Sequence, residues 1–417
     1  MNTSARNDST TAAAAVPAPH PAPESGAVTR LTSLDAYRGF VMFLMMAEVL
    51  RISRVARALP ESGVWKFLSW HQSHVDWIGC SLHDLIQPSF SFLVGVALPF
   101  SVASRIARGQ SNGAMLGHAL WRAIVLILLG VFLRSTHAAS TNWTFEDTLT
   151  QIGLGYAFLF ALGLRPLRDQ WIALGVILVG YWALFALHPV PGADFDYAKV
   201  GVTKTWLDTN GLNGFAAHWQ KNSNAAWSFD TWFMNLFSRE KPFLANRGGY
   251  VTLSFIPTLG TMILGLIAGG VLRSGRSPQA KLRWLVIAGV IGLGVGALLG
   301  ALGVVPVVKR IWTPSWVLFS GGWCCLLLAF FYGVVDHLKA RSWAFPLVVI
   351  GVNSIAAYLI AHLFQDFILT ALTTHLGLAP FQALGPAYQP FLHGAAALGI
   401  MWLLLFWMYR RKLFLRI

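Results

Sequence analysis

The chain has 417 residues; 55% are hydrophobic, only 12% are charged, and Lys and Arg outnumber Asp and Glu by 31 to 17. Soluble domains run at about 45–50% apolar and about 25% charged, so this sequence cannot clothe a water-soluble surface. Its apolar content and three cysteines also exclude a disordered chain and a disulfide scaffold. What remains is a polytopic membrane protein, with the net charge of +14 read as loop charge on one side of a bilayer and no nucleic-acid partner, because no basic tract with interleaved aromatics stands apart from the apolar runs.

Residues 1–29 are rich in Ala, Pro, Ser and Thr and contain no apolar run; they predict a disordered tail and no cleaved signal peptide, with the first span acting as an uncleaved anchor. From residue 30 to 417 the chain reads as one membrane domain. A window of about 20 apolar residues marks ten spans, at 34–52, 83–104, 118–136, 148–164, 171–187, 251–272, 284–303, 315–335, 343–363 and 391–409. The predicted fold is therefore all-α, a bundle of about ten transmembrane helices. The weakest patterns are the first span, which carries Glu48, and the ninth, which carries Asn353, Ser354 and His362. Two long connections, about 53–82 and 188–250, hold much of the tryptophan, including Trp206, Trp219, Trp227 and Trp232. These rings suit interfacial anchoring or stacking on sugars. Arg105 and Arg108, Arg165 and Arg168, the 273–283 group, Lys339 and Arg341, and Arg410, Arg411, Lys412 and Arg416 fall on one face of a ten-span chain. That face is expected to be cytoplasmic, with both termini, in a bacterial inner membrane. Lys309 and Arg310 fall on the other face, as do Arg51, Arg54 and Arg57, whose spacing suits one side of an interfacial helix.

The densest chemistry lies just before the second span, in the run from Trp70 to Asp84 that holds His71, His74, Cys80, His83 and Asp84. Histidine can hold or release a proton near neutral pH, and an ionisable residue at membrane depth is a site candidate by default. Three functional readings compete. His74 can serve as a general base for acyl transfer; His71, His74, His83 and Asp84 can ligate zinc; or Cys80 can carry an acyl group, activated by His74. A structural reading has these groups capping the second span. At the start of the first span, Asp35 and Arg38 share a helix face, as an ion pair or as part of an anion site. Gln151 opens the fourth span, and Asn353, Ser354, Tyr358 and His362 form a polar stripe in the ninth, as interhelical glue or a substrate path. Gly260, Gly265 and Gly269 read as a small-residue packing seam, and Cys324 and Cys325 as core residues.

Taken in order, several short runs resemble the transmembrane acyltransferase family of the lysosomal heparan-α-glucosaminide N-acetyltransferase and its bacterial relatives. They are Ser33–Gly39; His74, Trp77, Gly79, Asp84, Leu85 and Pro88; Leu149 and Gln151; Leu259-Gly260-Thr261; Pro306, Val307, Lys309, Trp312 and Ser315; Gly351, Asn353, Ser354 and Tyr358; and the basic end from Tyr409. The resemblance covers nearly everything from Arg30 onward. It implies a fold that takes an acetyl group from cytosolic acetyl-CoA and delivers it to an amino or hydroxyl group of an extracytoplasmic sugar or glycan. The family's catalytic histidine maps to His74, which Asp84 would support. On this reading Arg38, Asp35, Gln151 and Asn353 serve the acetyl-CoA, while Trp77, His71 and Lys309 serve the acceptor. No metal or resident cofactor is expected; the lipid bilayer is a partner, and a homodimer is compatible. The chain departs from the family where an Asn is usual near the outer end of span one, which here reads Met46-Ala47-Glu48-Val49, and at Ile152, where Arg is usual. The rival readings are a membrane carrier, although no internal repeat is seen, and an inactive binding or assembly protein that kept the fold.

Overall fold

The computed structural model describes residues 31–415, so the tail expected over 1–29, like Arg416, lies outside the described residues. All ten apolar windows fall on helix, and no β-strand occurs among the described residues, only an isolated bridge between Ile78 and Val308. The first window is α1 (Thr32–Met46), continued by a 3-10 turn over Ala47–Leu50. Two short helices follow in the connection, α2 (Ile52–Ala58) and α3 (Gly63–His71). Next come α4 (Ile86–Ala107), α5 (Asn112–Ser135), α6 (Thr148–Gly163) and α7 (Leu167–Ala186). The second long connection folds as α8 (Lys204–Asn210) and α9 (Ala225–Phe233). The rest is α10 (Phe255–Arg273), α11 (Pro278–Ala301), α12 (Pro314–Phe331), α13 (Phe345–Gly351), α14 (Ser354–Leu363), α15 (Gln365–Leu376) and α16 (Gln389–Arg410).

Seven of these, α4, α5, α7, α10, α11, α12 and α16, are long and apolar enough to cross a membrane. α6 is apolar but shorter, at 16 residues. The helices start where the sequence supplies caps. The Ser111 hydroxyl accepts from the Ala114 amide, and the Asp147 carboxylate accepts from the amides of Leu149 and Thr150; Ser277 and Thr313 each precede a proline that opens its helix.

The central element is α10, buried along 78% of its most apolar stretch, against 17% for α7 and for α11, which sit at the perimeter. Glycine explains how closely α4 and α10 pack. A Cβ on Gly265 would lie 1.9 Å from the Phe92 carbonyl oxygen, and one on Gly269 2.4 Å from that of Val96. Gly260 meets only side chains, at 3.4 Å or more, so the seam is shorter than the sequence suggested. Contact of this kind replaces the hydrophobic drive that helices lack in lipid.

The ninth window is one polar stripe in sequence but not one straight helix. α13 and α14 meet at 68°. The cause is local: Gly351 lies so close to α1 that a Cβ would fall 1.8 Å from the Asp35 carbonyl oxygen, which pins α13. Asn353 then spends its side chain on the C-terminal segment, donating to the Leu413 carbonyl at 2.9 Å and accepting from the Leu415 amide at 3.0 Å. The helix therefore breaks between Gly351 and Ser354, with α13 held against α1 and Asn353 tied to the C-terminal segment.

The two long connections are also structured. Trp77, Tyr181, Phe185, Trp219, Val305, Val308 and Ile311 form one apolar cluster. Trp227 donates its indole N–H to the Leu244 carbonyl at 2.9 Å, and Trp232 is exposed. α2 buries Ile52 and Val55 and exposes Arg54 and Arg57, the one-sided pattern read from the arginine spacing.

Candidate active site

The segment 72–82 holds no helix of its own and is held in place by packing and stitching. Trp77 is buried and donates its indole N–H to the Trp219 carbonyl at 3.2 Å. Gly79, at φ 122°, adopts a backbone that only glycine takes readily, and its amide donates to the Val307 carbonyl at 3.1 Å. The facing segment turns at Lys309, where the Trp312 amide donates to the Lys309 carbonyl and the Thr313 hydroxyl receives the Val308 amide. Two irregular segments some 235 residues apart in sequence are thereby fixed against each other.

Between them lies a charged triad. His74 Nδ1 is 2.8 Å from Asp84 Oδ1, and Lys309 Nζ is 3.3 Å from the same oxygen and 3.1 Å from His74 Nδ1. Asp84 Oδ2 accepts from the amides of Val75 and Ser81 and from the Ser81 hydroxyl, at 3.0–3.2 Å. Asp84 and Lys309 are buried, which suits a pair that neutralises itself. An ionised carboxylate only accepts hydrogen bonds, so the short contact places a proton on His74 Nδ1 and leaves Nε2 with its lone pair. The Lys309 ammonium cannot donate to a protonated nitrogen, so its bond belongs to Asp84. Burial holds the His74 imidazole below its ordinary pKa; Asp84 pulls the other way, and the Lys309 charge adds to the lowering. A neutral ring with an open Nε2 is what a general base requires.

His74 faces a cavity of about 570 Å³, called here the outer cavity. Its wall also includes Glu48, His83, Gln87, Arg134, Glu146, Asp147, Asn246, Tyr250 and His362. Few of these were singled out as site residues from sequence. Glu48 Oε1 lies 3.1 Å from His83 Nε2, and the His83 ring stands 4.6 Å from that of His74 between centroids.

A second, inner cavity of about 530 Å³ is lined by Arg38, Met42, Val94, Ser101, Arg105, His118, Arg122, Ile152, Tyr156, Ser354 and Leu415, among others. The two lie end to end. Along α1 and the 3-10 turn that continues it, Arg38 and Met42 line the inner cavity and Met45 and Glu48 the outer; along α5 the order is His118 and Arg122, then Arg134; along α14 it is Ser354, then His362. On α4, Gln87 of the outer wall and Arg105 of the inner are 18 residues apart, about 27 Å at ~1.5 Å per residue. Phe90, Thr148 and Tyr358 line both cavities. The inner wall is basic: Arg122 donates to the Tyr156 hydroxyl at 3.2 Å and stacks on its ring, while its buried Nε has no partner.

The remaining sequence candidates fall in other places. Arg38 lines the inner cavity and pairs with Asp35 at 3.3 Å, which orients it. Gln151 and Asn353 do not line the inner cavity; their amides are bound to backbone, Gln151 donating to the carbonyls of Phe145 and Thr252. His71 and Trp77 do not line the outer cavity. His71 Nδ1 accepts from the Leu82 amide at 3.2 Å, so both are braces for the loop that carries His74. Arg310, which strained the charge asymmetry, donates to the carbonyls of Gly248 and Val75. Cys80 is half-buried, and burial pushes its thiol up to about 12, away from the thiolate a nucleophile needs. Cys324 and Cys325 are buried core residues. Among the described residues no group of three or more His, Cys, Asp or Glu is placed to hold a metal ion.

No family model matches the sequence. The chain is 25% identical over 378 residues to the human heparan-alpha-glucosaminide N-acetyltransferase and 23% identical over 374 residues to the mouse protein. Each match covers 81% of this chain and 53–54% of the relative, so the chain spans about half the length of the curated relatives it matches. With its apolar helices, this makes it a multi-pass membrane protein that resembles the heparan-alpha-glucosaminide N-acetyltransferases over four fifths of its length.

Proposed function

We propose that the protein is a transmembrane acyltransferase that takes an acetyl group from acetyl-CoA bound in the inner cavity and passes it to an amino or hydroxyl group of a sugar in the outer cavity. The carrying observation is the stacking of two cavities that share a wall at Phe90, Thr148 and Tyr358. A basic chamber suits the phosphates of CoA, with Arg38, Arg105 and Arg122 as ligands. A polar chamber with an imidazole base suits a hydroxylated acceptor. The thioester carbonyl would sit at the shared wall, where the hydroxyls of Thr148 and Tyr358 are the nearest oxyanion donors.

In this reading the ten helical crossings put both termini and the inner cavity on the cytoplasmic side of a bacterial inner membrane. His74 Nε2 removes a proton from the acceptor as its nitrogen or oxygen attacks the carbonyl. Asp84 holds the tautomer and stabilises the imidazolium, and Lys309 keeps Asp84 ionised. The test is a proteoliposome assay with labelled acetyl-CoA on the inner-cavity side and glucosamine on the other, comparing wild type with His74→Ala. Labelled N-acetylglucosamine from the wild type alone supports the reading. Equal product from both removes His74 from the chemistry. One feature favours a second reading: the 68° break between α13 and α14 resembles the broken helices of carriers. Unmodified glucosamine crossing the membrane with no acetylation would select that reading instead.

A further inference from the structure

A third cavity, of about 370 Å³, is lined by Glu48, Arg51, Ser53, Arg54, Gln72, Ser73, His74 and His83. It shares Glu48, His74 and His83 with the outer cavity. Those three side chains form a file. The His74 and His83 rings are 4.6 Å apart between centroids, His83 Nε2 is 3.1 Å from Glu48 Oε1, and exposure changes from 8% for His83 to 53% for Glu48. The file therefore starts at the base of the outer cavity, passes through a buried imidazole and ends on a half-exposed carboxylate.

We propose that His83 and Glu48 form a proton exit for an amine acceptor, taking the proton from His74 and releasing it to water through the third cavity. The inference rests on the acyl-transfer reading and specifies what the chemistry then needs. An amino sugar enters as the ammonium. Its reaction is R–NH3+ + CH3CO–S–CoA → R–NH–COCH3 + CoA–SH + H+. The C–N bond forms and the C–S bond breaks with its electron pair on sulfur, which takes up one proton. One proton is left over in every cycle, and it starts on His74. Asp84 and Lys309 cannot carry it off, because both are buried and bound to each other. His83 is the imidazole in contact with His74. Glu48 faces His83, His74 and His362 on one side and Arg51 and Arg54 across the third cavity. Glu48 is half-exposed and opens on the third cavity, so a proton arriving on it has a direct path to water.

The test uses the full-length protein with acetyl-CoA and glucosamine, comparing wild type, Glu48→Gln, Glu48→Asp and His83→Gln. The exit predicts that Glu48→Gln and His83→Gln lose about tenfold or more in kcat, with acetyl-CoA affinity unchanged, which also shows the variants are folded. Glu48→Asp retains most of the turnover. Added imidazole or formate buffer restores turnover to Glu48→Gln, which a merely structural loss would not allow. A wild type that acetylates glucosamine while Glu48→Gln matches it, or a Glu48→Gln defect that no buffer relieves, overturns the exit and leaves the acyl-transfer reading standing. A wild type silent with every amine acceptor overturns both.

Discussion

The outer and inner cavities are made in different ways. The outer wall takes its reactive groups from irregular segments, His74 from 72–82, Lys309 from 305–313 and Asn246 from the second long connection, joined by ion pairs and single hydrogen bonds. The inner wall is drawn from the faces of α1, α4, α5, α6 and α14, whose positions follow from helix packing. A chamber assembled from loops depends on individual polar contacts, whereas one assembled from helix faces depends on backbone spacing and tolerates loss of one side chain. If the outer chamber does the chemistry and the inner holds the donor, lesions in them separate into turnover and affinity.

The largest expected effect is His74→Ala, which should lower kcat about 10²–10⁴-fold while leaving acetyl-CoA binding intact by calorimetry. Loss of both together would break the division between the chambers. Next is Arg122→Ala in the inner wall, expected to raise KM for acetyl-CoA about 10–100-fold, the worth of a charge-assisted contact to phosphate, with kcat little changed. A kcat defect with unaltered KM would place Arg122 in the wrong chamber.

A smaller effect concerns pH. The His74 imidazole titrates below the usual 6.5, so it is neutral and able to accept a proton at pH 7. kcat/KM should hold down to that value and fall only below it. The neutral ring's share of stability is lost over the same acid range, because the unfolded chain takes up the proton first. Lys309→Met removes a charge that lowers the His74 pKa, so the acid limb of the pH–rate profile should move to higher pH; a stationary limb would show the lysine acts on something else. The smallest effect is expected for His71→Asn, whose side-chain oxygen can replace the bond from the Leu82 amide: turnover within about twofold of wild type, the range of an ordinary neutral hydrogen bond. A large loss would make His71 part of the chamber.

The helices were legible because lipid demands long apolar runs with internally satisfied backbone. The bend in the ninth was not, since it arises from a close approach of Gly351 to α1 and a tether from Asn353 to the C-terminal segment, neither of which leaves a local pattern. Of the site, the short motif around His74 pointed to the loop, and Lys309 was found through a second motif 235 residues away. The Glu48–His83 contact was not legible. Glu48 read as a weakness in the first span and His83 as a metal-ligand candidate, and only the fold makes them partners. Gln151 misled because a polar group inside an apolar span marks either a substrate path or a structural joint, and its bonds to the Phe145 and Thr252 carbonyls make it a joint. Arg122 was discoverable, since an arginine inside the 118–136 window is itself a signal.

The wall shared by the two cavities, at Phe90, Thr148 and Tyr358, has a bearing on the cell that is electrical. On the proposed topology, solvated chambers reach it from both sides, so most of the membrane voltage falls across that thin partition instead of across the full bilayer. A charge crossing it would move through a drop worth about 2.3 kcal/mol per 100 mV. If the protein transfers acetyl groups as proposed, those three side chains would also insulate the cell's ion gradients at this point, and the same partition would have to let an acetyl group change hands while refusing ions.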